Sequence, residues 1–278
     1  MNGLQLFPAV AAVFRTVFLD QFGVLHDGHR PYPGAIEALY LLKSRGAKTV
    51  IISNSGKPGE ANARRMARLG FTRDLYDHFL TSGDVARSML MEGIVPVHLD
   101  TSTRCLTIAS STGHDFADSV GLSSTDSAEL ADLVIIAGSE GETVSLDAYE
   151  ERLAPAAARG VPCLCINPDK LALGLHGTFP GAGAIAARYE TLGGTVSWIG
   201  KPYPAIYAAA AKLAGSRPGE ILCVGDSVEH DIVGAHRFGA AAALVRTGIH
   251  AEWSEADLAA EFARYGVAPD IILRGLGG

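Results

Sequence analysis

The stretch Thr16-Val17-Phe18-Leu19-Asp20-Gln21-Phe22-Gly23-Val24-Leu25 decides the fold. It opens as an apolar run with β-branched and aromatic residues, which predicts a buried strand. The run ends in a carboxylate, Asp20, and Gly23 then permits a turn that a side chain would hinder. An acid at the C-terminal tip of a buried strand stands where open α/β sheets gather their active sites. Taken alone, Asp20 is more simply a strand-ending carboxylate that caps a loop.

The flanking sequence repeats the pattern. Pro33 opens a predicted helix with Ile36, Leu39, Tyr40 and Leu42 on its buried side, and Gly46 stops it. A second buried strand, 48–53, ends in the polar run Ser53-Asn54-Ser55-Gly56. A helix over about 58–69 and a short strand, Phe79–Thr81, complete a βαβα succession, which implies parallel strands.

Beyond residue 84 the apolar runs Cys105–Ala109, Leu133–Ala137 and Val161–Ile166 predict the strands of a separate α/β unit. The last of them leads into the polar turn Asn167-Pro168-Asp169. The first domain is expected to resume at 178. A helix starts at Pro180-Gly181-Ala182-Gly183, and a strand, Val196–Gly200, carries Lys201-Pro202 at its tip. After a helix opened by Pro204, the strand Glu220–Val224 runs into Gly225-Asp226-Ser227, with Asp231 at the start of the next helix. Ala241–Val245 and Asp270–Leu273 are the final expected strands, and Ser254 with Asp257 forms a capping box between them. The predicted organisation is therefore a core at 1–83 and 178–278 with an α/β insert at 84–177.

Composition narrows the function. An apolar fraction of 48% over 278 residues can bury a large core. The net charge of −7, with no basic run longer than a pair, argues against a nucleic-acid or membrane partner. Cys105, Cys163, Cys165 and Cys223 form no CxxC pair and lie in strand-like runs, so buried free thiols in a reducing, cytoplasmic setting are expected, and zinc is not. Met1–Phe14 is apolar but lacks a cationic start, and reads as a helix or arm instead of a signal peptide.

Asp20, Ser53, Lys201 and Asp226 are each expected at a strand tip of one parallel sheet, hence on one edge. Carboxylates brought together there need a cation, and Mg²⁺ prefers oxygen ligands while keeping waters for a phosphoryl oxygen. Asp20 can attack phosphorus to form an aspartyl phosphate. Ser53 and backbone N–H groups at a helix start can hold phosphoryl oxygens. Lys201 can neutralise charge on Asp20 and on the phosphate. Asp226 can hold the metal, and Asp231 can orient a metal-bound water or Lys201.

Four motifs carry these residues: Leu19-Asp20-Gln21-Phe22-Gly23-Val24-Leu25, Ile52-Ser53-Asn54, Gly200-Lys201-Pro202, and Gly225-Asp226-Ser227 followed by Asp231. In their order and spacing the chain resembles the haloacid dehalogenase (HAD) superfamily. The insert, Asn167-Pro168-Asp169 and Pro180-Gly181-Ala182-Gly183 are similar to the NagD-like, class IIA branch. The resemblance implies a HAD-like Rossmannoid parallel-sheet core with an inserted α/β cap domain. It implies a Mg²⁺-dependent phosphatase of a small phosphorylated metabolite, with Asp20, Ser53, Lys201 and Asp231 catalytic. Asp20, Asp226 and the backbone carbonyl of Phe22 would bind the metal. Ser53, Asn54 and Lys201, with Asn167 and Asp169 from the insert, would bind substrate. A homodimer through the cap is a further expectation.

One position departs from the family pattern. Most phosphatases of the superfamily carry an aspartate two residues after the nucleophile, which protonates the leaving alcohol and then activates water; here the residue is Phe22. Such acid–base help is worth ~10²–10⁴ in rate. His26 and Asp27 in the adjoining loop are alternative acids, though backbone-bonded loop residues are the simpler reading. Two other functions follow from the same departure: a phospho-ligand-binding protein on an enzyme scaffold, and a 2-haloacid dehalogenase that needs no metal.

Overall fold

The computed structural model describes residues 5–95, 99–110, 115–174 and 177–277. The first four residues of the expected N-terminal arm lie outside the described residues. Two compact units are present: Met1–Ser53 with Gly59–Leu80 and Lys201–Gly278, and Asn54–Pro58 with Thr81–Gly200. In chain order the strands are β1 (Thr16–Asp20), β2 (Lys48–Ser53), β3 (His78–Thr81), β4 (Arg104–Ile108), β5 (Ser123–Ser124), β6 (Leu133–Ile136), β7 (Cys163–Cys165), β8 (Leu171–Gly174), β9 (Gly177–Pro180), β10 (Val196–Trp198), β11 (Ile221–Gly225), β12 (Ala241–Val245) and β13 (Ile271–Leu273).

In the first unit, here the core unit, six strands run in the order β13-β12-β11-β1-β2-β3. β1 pairs in parallel with β11 on one side and β2 on the other. A strand flanked on both edges and covered on both faces has no solvent side, which is why its sequence is continuously apolar up to the tip. Val17, Phe18 and Leu19 are fully buried. At about 1.5–3 kcal/mol per large apolar side chain removed from water, this stretch is a principal source of core stability.

The helix Ala35–Ser44 buries Ala35, Ala38, Leu39 and Leu42, a single stripe at helical spacing. Tyr40, expected on that stripe, is exposed: it follows Leu39 by one residue and so turns about 100° away from it. At the N-terminus the helix Phe7–Ala11 buries Phe7 and Val10 in the same core, and the Gln5 amide donates to the Ile272 carbonyl of β13.

The second, inserted unit has its own sheet, in the order β10-β7-β6-β4-β5, and an antiparallel hairpin, β8–β9. Val134, Ile136, Cys163, Cys165, Tyr149, Leu153, Ile185 and Tyr189 share one hydrophobic cluster. Here the expected boundaries change. The helix Ala182–Thr191 and β10, both expected in the core, belong to the inserted unit. Val196, Ser197 and Trp198 of β10 pair in parallel with Cys163, Leu164 and Cys165, and Tyr189 donates a hydrogen bond to the Val161 carbonyl at 2.6 Å. The half-buried β10 suits a sheet edge and fills one here. The return to the core unit is therefore at Lys201, not 178, and Thr81 to Gly83 also belong to the insert.

All four cysteines are free and buried. Among the described residues no helix is long and apolar enough to cross a membrane.

Candidate active site

Asp20 ends β1 with its side chain only 14% exposed. Its Oδ1 lies 2.7 Å from the Lys201 Nζ, and the same nitrogen lies 2.7 Å from Asp231 Oδ1. Lys201 was expected at the tip of a core strand. It instead opens the segment after β10 and precedes the helix Pro204–Ala214, yet still meets Asp20. Burial opposes its charge, but the two carboxylates hold the ammonium well above the ordinary lysine range.

Asp231 sits on a π-helical turn, Val228–Ile232, ahead of the helix Val233–Phe238. The wider turn brings its second oxygen back to the Ser227 amide, which donates to it at 3.1 Å. Both Asp231 oxygens are thus engaged, one by a backbone amide and one by Lys201. Of the two roles expected for Asp231, orienting Lys201 is the one these contacts support.

Asp226 follows β11. Its Oδ2 accepts from the Ile249 amide at 2.8 Å. Gly23 and Gly248, both at positive φ, close on this carboxylate: a Cβ built on either would come within 1.9 Å of Oδ2. Only hydrogen fits there, so two loops can press against the acid. The Thr247 hydroxyl donates to the Gly23 carbonyl and ties those loops together.

Carboxylate oxygens of Asp20, Asp226 and Asp231 lie within 4.8 Å of one another. Three carboxylates against one ammonium leave negative charge that burial makes costly. Burial, opposed by Lys201 and reinforced by Asp231, pushes the Asp20 carboxyl up to about 7. Burial and the neighbouring Asp20 and Asp231 push Asp226 well above the carboxylate range. An all-oxygen set with surplus negative charge fits a hard divalent cation.

Ser53 ends β2 and is buried. In the inserted unit Asn54 donates to Asp169 Oδ1 at 2.8 Å, and the Asp169 amide donates to Asn167 Oδ1 at 3.2 Å. The structure thus joins the three candidate residues of that unit into one hydrogen-bonded cluster.

Around Phe22 the surroundings are aromatic and cationic. The ring is 39% exposed, meets His26 edge-on at 4.6 Å, and carries the Arg65 guanidinium 5.2 Å from its centroid. Arg65 also donates to the Gly28 carbonyl at 3.2 Å. His26 is fully buried, and its Nδ1 accepts from the Gly28 amide at 2.9 Å. Burial and the Arg65 charge pull its pKa down to about 4. Asp27 Oδ1 accepts from the His29 and Arg30 amides at 2.7 Å each, and those bonds hold its carboxyl below the usual range. Both alternative acids are engaged by loop backbone.

Sequence reading missed Gly248, Ile249 and Arg65. The first two follow β12 directly in Arg246-Thr247-Gly248-Ile249, a polar break after an apolar strand of the kind that flagged the other tips. Arg65 is one of several charged residues on the helix Gly59–Arg68, and nothing local singles it out.

Comparison with known proteins gives the same outline. A family model described as haloacid dehalogenase-like hydrolase matches residues 17–123, and a second, HAD-hydrolase-like, matches 198–276. Chronophin of Rattus norvegicus is 30% identical over 261 residues, covering 88% of this chain and 80% of its own. D-glycerol 3-phosphate phosphatase of Mycobacterium tuberculosis is 27% identical, covering 88% of this chain and 66% of its own. Among solved structures, a haloacid dehalogenase-like hydrolase from Brucella suis aligns with a TM-score of 0.82 at 27% identity, covering 98% and 99% of the two chains. NagD from Escherichia coli aligns at 0.72 and 25% identity, covering 95% and 97%.

Proposed function

The chain belongs to the haloacid dehalogenase-like hydrolases, in their NagD-like class IIA branch, and from that premise we propose that it hydrolyses a small phosphorylated metabolite through an aspartyl phosphate at Asp20. The observation that carries this reading is the Lys201 ammonium held 2.7 Å from both Asp20 and Asp231. A lone buried acid would stay protonated and be a poor nucleophile, whereas a paired one can ionise and attack.

Asp20 attacks phosphorus and the leaving-group oxygen departs with the bonding electrons. Lys201 offsets charge on Asp20 and on the incoming phosphoryl group. Ser53 and Asn54 would donate hydrogen bonds to the phosphoryl oxygens, and Asn167 and Asp169 would contact the substrate. Water then cleaves the acyl phosphate and returns Asp20. Asp20, Asp226 and the Phe22 carbonyl would hold Mg²⁺. When bound, it would offset the surplus carboxylate charge and polarise the phosphoryl group. D-glycerol 3-phosphate phosphatase among the relatives supports a phosphate ester as substrate.

The test is phosphate release from a panel of phosphorylated compounds, with MgCl₂ and with EDTA, by the wild type and Asp20→Asn. Release that needs Mg²⁺ and disappears in Asp20→Asn is expected. Full activity in Asp20→Asn would remove the mechanism. Halide release from 2-haloacids that persists in EDTA would move the chain to carbon–halogen hydrolysis.

A further inference from the structure

We infer that Thr247 is a positioning residue that fixes the span between two ligand-bearing loops, and thereby biases the site toward Mg²⁺ against the larger Ca²⁺. This role rests on the metal site proposed above, made by Asp20, Asp226 and the Phe22 carbonyl. The turn Thr247-Gly248-Ile249-His250 follows β12 and carries none of those ligands.

The loop after β1 leaves the Phe22 carbonyl open. The His26 amide donates to the Gln21 carbonyl at 3.3 Å, and the Gly23 amide donates to the His26 carbonyl at 3.1 Å. This pattern passes over the Phe22 oxygen, which accepts no hydrogen bond among the described residues. The peptide between Phe22 and Gly23 is trans, so its carbonyl and its N–H point in opposite directions. The Phe22 oxygen is therefore turned away from the His26 carbonyl.

Thr247 holds the next peptide. Its hydroxyl donates to the Gly23 carbonyl, so Gly23 is fixed on both sides, at a φ of +78°. Two residues further along, the Ile249 amide donates to Asp226 Oδ2 at 2.8 Å. Asp226 Oδ1 accepts no hydrogen bond among the described residues. One short turn thus grips the loop after β1 with a side chain and the carboxylate after β11 with its backbone.

The turn is anchored at both ends. The Arg246 amide donates to the Leu273 carbonyl of β13 at 2.8 Å. His250 is buried, packs on Trp253 with ring centroids 4.2 Å apart, and accepts from the Val228 amide at 3.5 Å through Nε2. Between these anchors Gly248 lies so close that a Cβ there would come 2.6 Å from the Gly23 Cα and 1.9 Å from Asp226 Oδ2. A turn held in this way is a rigid spacer between Gly23 and Asp226.

A rigid spacer separates the two cations. Mg²⁺ requires near-octahedral oxygen ligands at ~2.0–2.1 Å, whereas Ca²⁺ accepts flexible arrangements at ~2.3–2.6 Å. Loosening the span costs the smaller ion contacts that the larger one recovers by adjusting. The Thr247 grip is made by a side chain, so it can be removed without altering any ligand.

The test is calorimetric titration of the full-length, EDTA-stripped protein with MgCl₂ and with CaCl₂. The proteins are the wild type, Thr247→Val, Thr247→Ser, Gly248→Ala and Asp226→Asn, and Tm in EDTA shows that each is folded. Thr247→Val keeps the shape and removes the donor. It should lower Mg²⁺ affinity ~10–100-fold and Ca²⁺ affinity several-fold less, so the ratio of the two falls. Thr247→Ser keeps the hydroxyl and should hold the wild-type ratio. Gly248→Ala displaces the same turn and should shift the ratio as Thr247→Val does; it decides the matter if Thr247→Val does not fold. Equal losses for both cations, or an unchanged ratio, with binding abolished in Asp226→Asn, overturn the role of Thr247 and leave the metal site standing. No Mg²⁺ binding by the wild type, or binding that Asp226→Asn leaves intact, overturns both.

Discussion

The Lys201 ammonium touches Asp231 at 2.7 Å while its other carboxylate neighbour, Asp20, lies at the same distance. Lys201 is 3% exposed and Asp231 4% in their side chains. The pair is therefore a buried one, in which loss of either partner leaves an uncompensated charge. Lys201→Met should destabilise the protein by about 3–5 kcal/mol, since it leaves two carboxylates facing each other. Urea unfolding at neutral pH measures this, and a loss below ~1 kcal/mol would mean the cluster relaxes into solvent.

The raised pKa of Asp20 links metal to pH. A carboxyl in the unfolded chain titrates near ~3.9, whereas folded Asp20 does so at about 7. The folded state thus keeps a proton that the unfolded state has lost. Its contribution to stability is full below about 4 and is lost as pH rises through about 7. Mg²⁺ competes for the same carboxylate, so the rise in Tm caused by MgCl₂ should grow as pH increases through that range. Thermal unfolding across a pH series checks it, and a pH-independent effect of Mg²⁺ would count against Asp20 as a ligand.

His26 titrates in the opposite sense. Its folded pKa of about 4 lies below the ordinary histidine value of 6.5, so protonation favours the unfolded chain. The stability it supports is present above about 6.5 and declines as pH falls toward about 4. His26→Gln should reduce the acid sensitivity of Tm between those values. Equal acid sensitivity in both proteins would place the titrating group elsewhere.

Gly248→Ala should weaken metal binding without removing a ligand. The added methyl would lie 1.9 Å from Asp226 Oδ2 at a residue with φ of +65°, so the carboxylate or the loop has to move. Displacing a group that supports a ligand costs ~10–100-fold in metal affinity. Calorimetric titration with Mn²⁺ reads this, and unchanged affinity would show that Asp226 does not depend on the loop.

Gln21 is fully buried, and neither side-chain amide atom has a hydrogen-bond partner among the described residues. An unsatisfied buried polar group costs about 1–3 kcal/mol. Gln21→Met keeps the length and removes the polar atoms, and should raise stability by an amount of that order. A destabilised variant in urea unfolding would indicate a partner formed in solution.

Legibility in the sequence followed how local the cause was. β1, β2 and β11 could be read because a buried parallel strand must be apolar along its length and becomes polar only at its tip, as at Asp20, Ser53 and Asp226. The capping box at Ser254 and Asp257 was equally local and is formed. β10 was assigned to the wrong sheet because a half-buried three-residue strand has no signal for its partner; pairing with Cys163–Cys165 is decided by tertiary packing. Arg65 could not be found because its role depends on Phe22, 43 residues earlier in the chain. Tyr40 was misplaced because a neighbouring leucine lent its apolar side to a residue one step further round the helix.

The chain leaves the core unit after Ser53, returns to it for Gly59–Leu80, leaves again for the long insert and re-enters at Lys201. Two of the four motifs therefore sit directly on splice points. Any exchange of the long insert, whether by recombination or by design, has its second joint at Lys201, beside Asp20 and Asp231. Such a graft would be constrained most at that one seam.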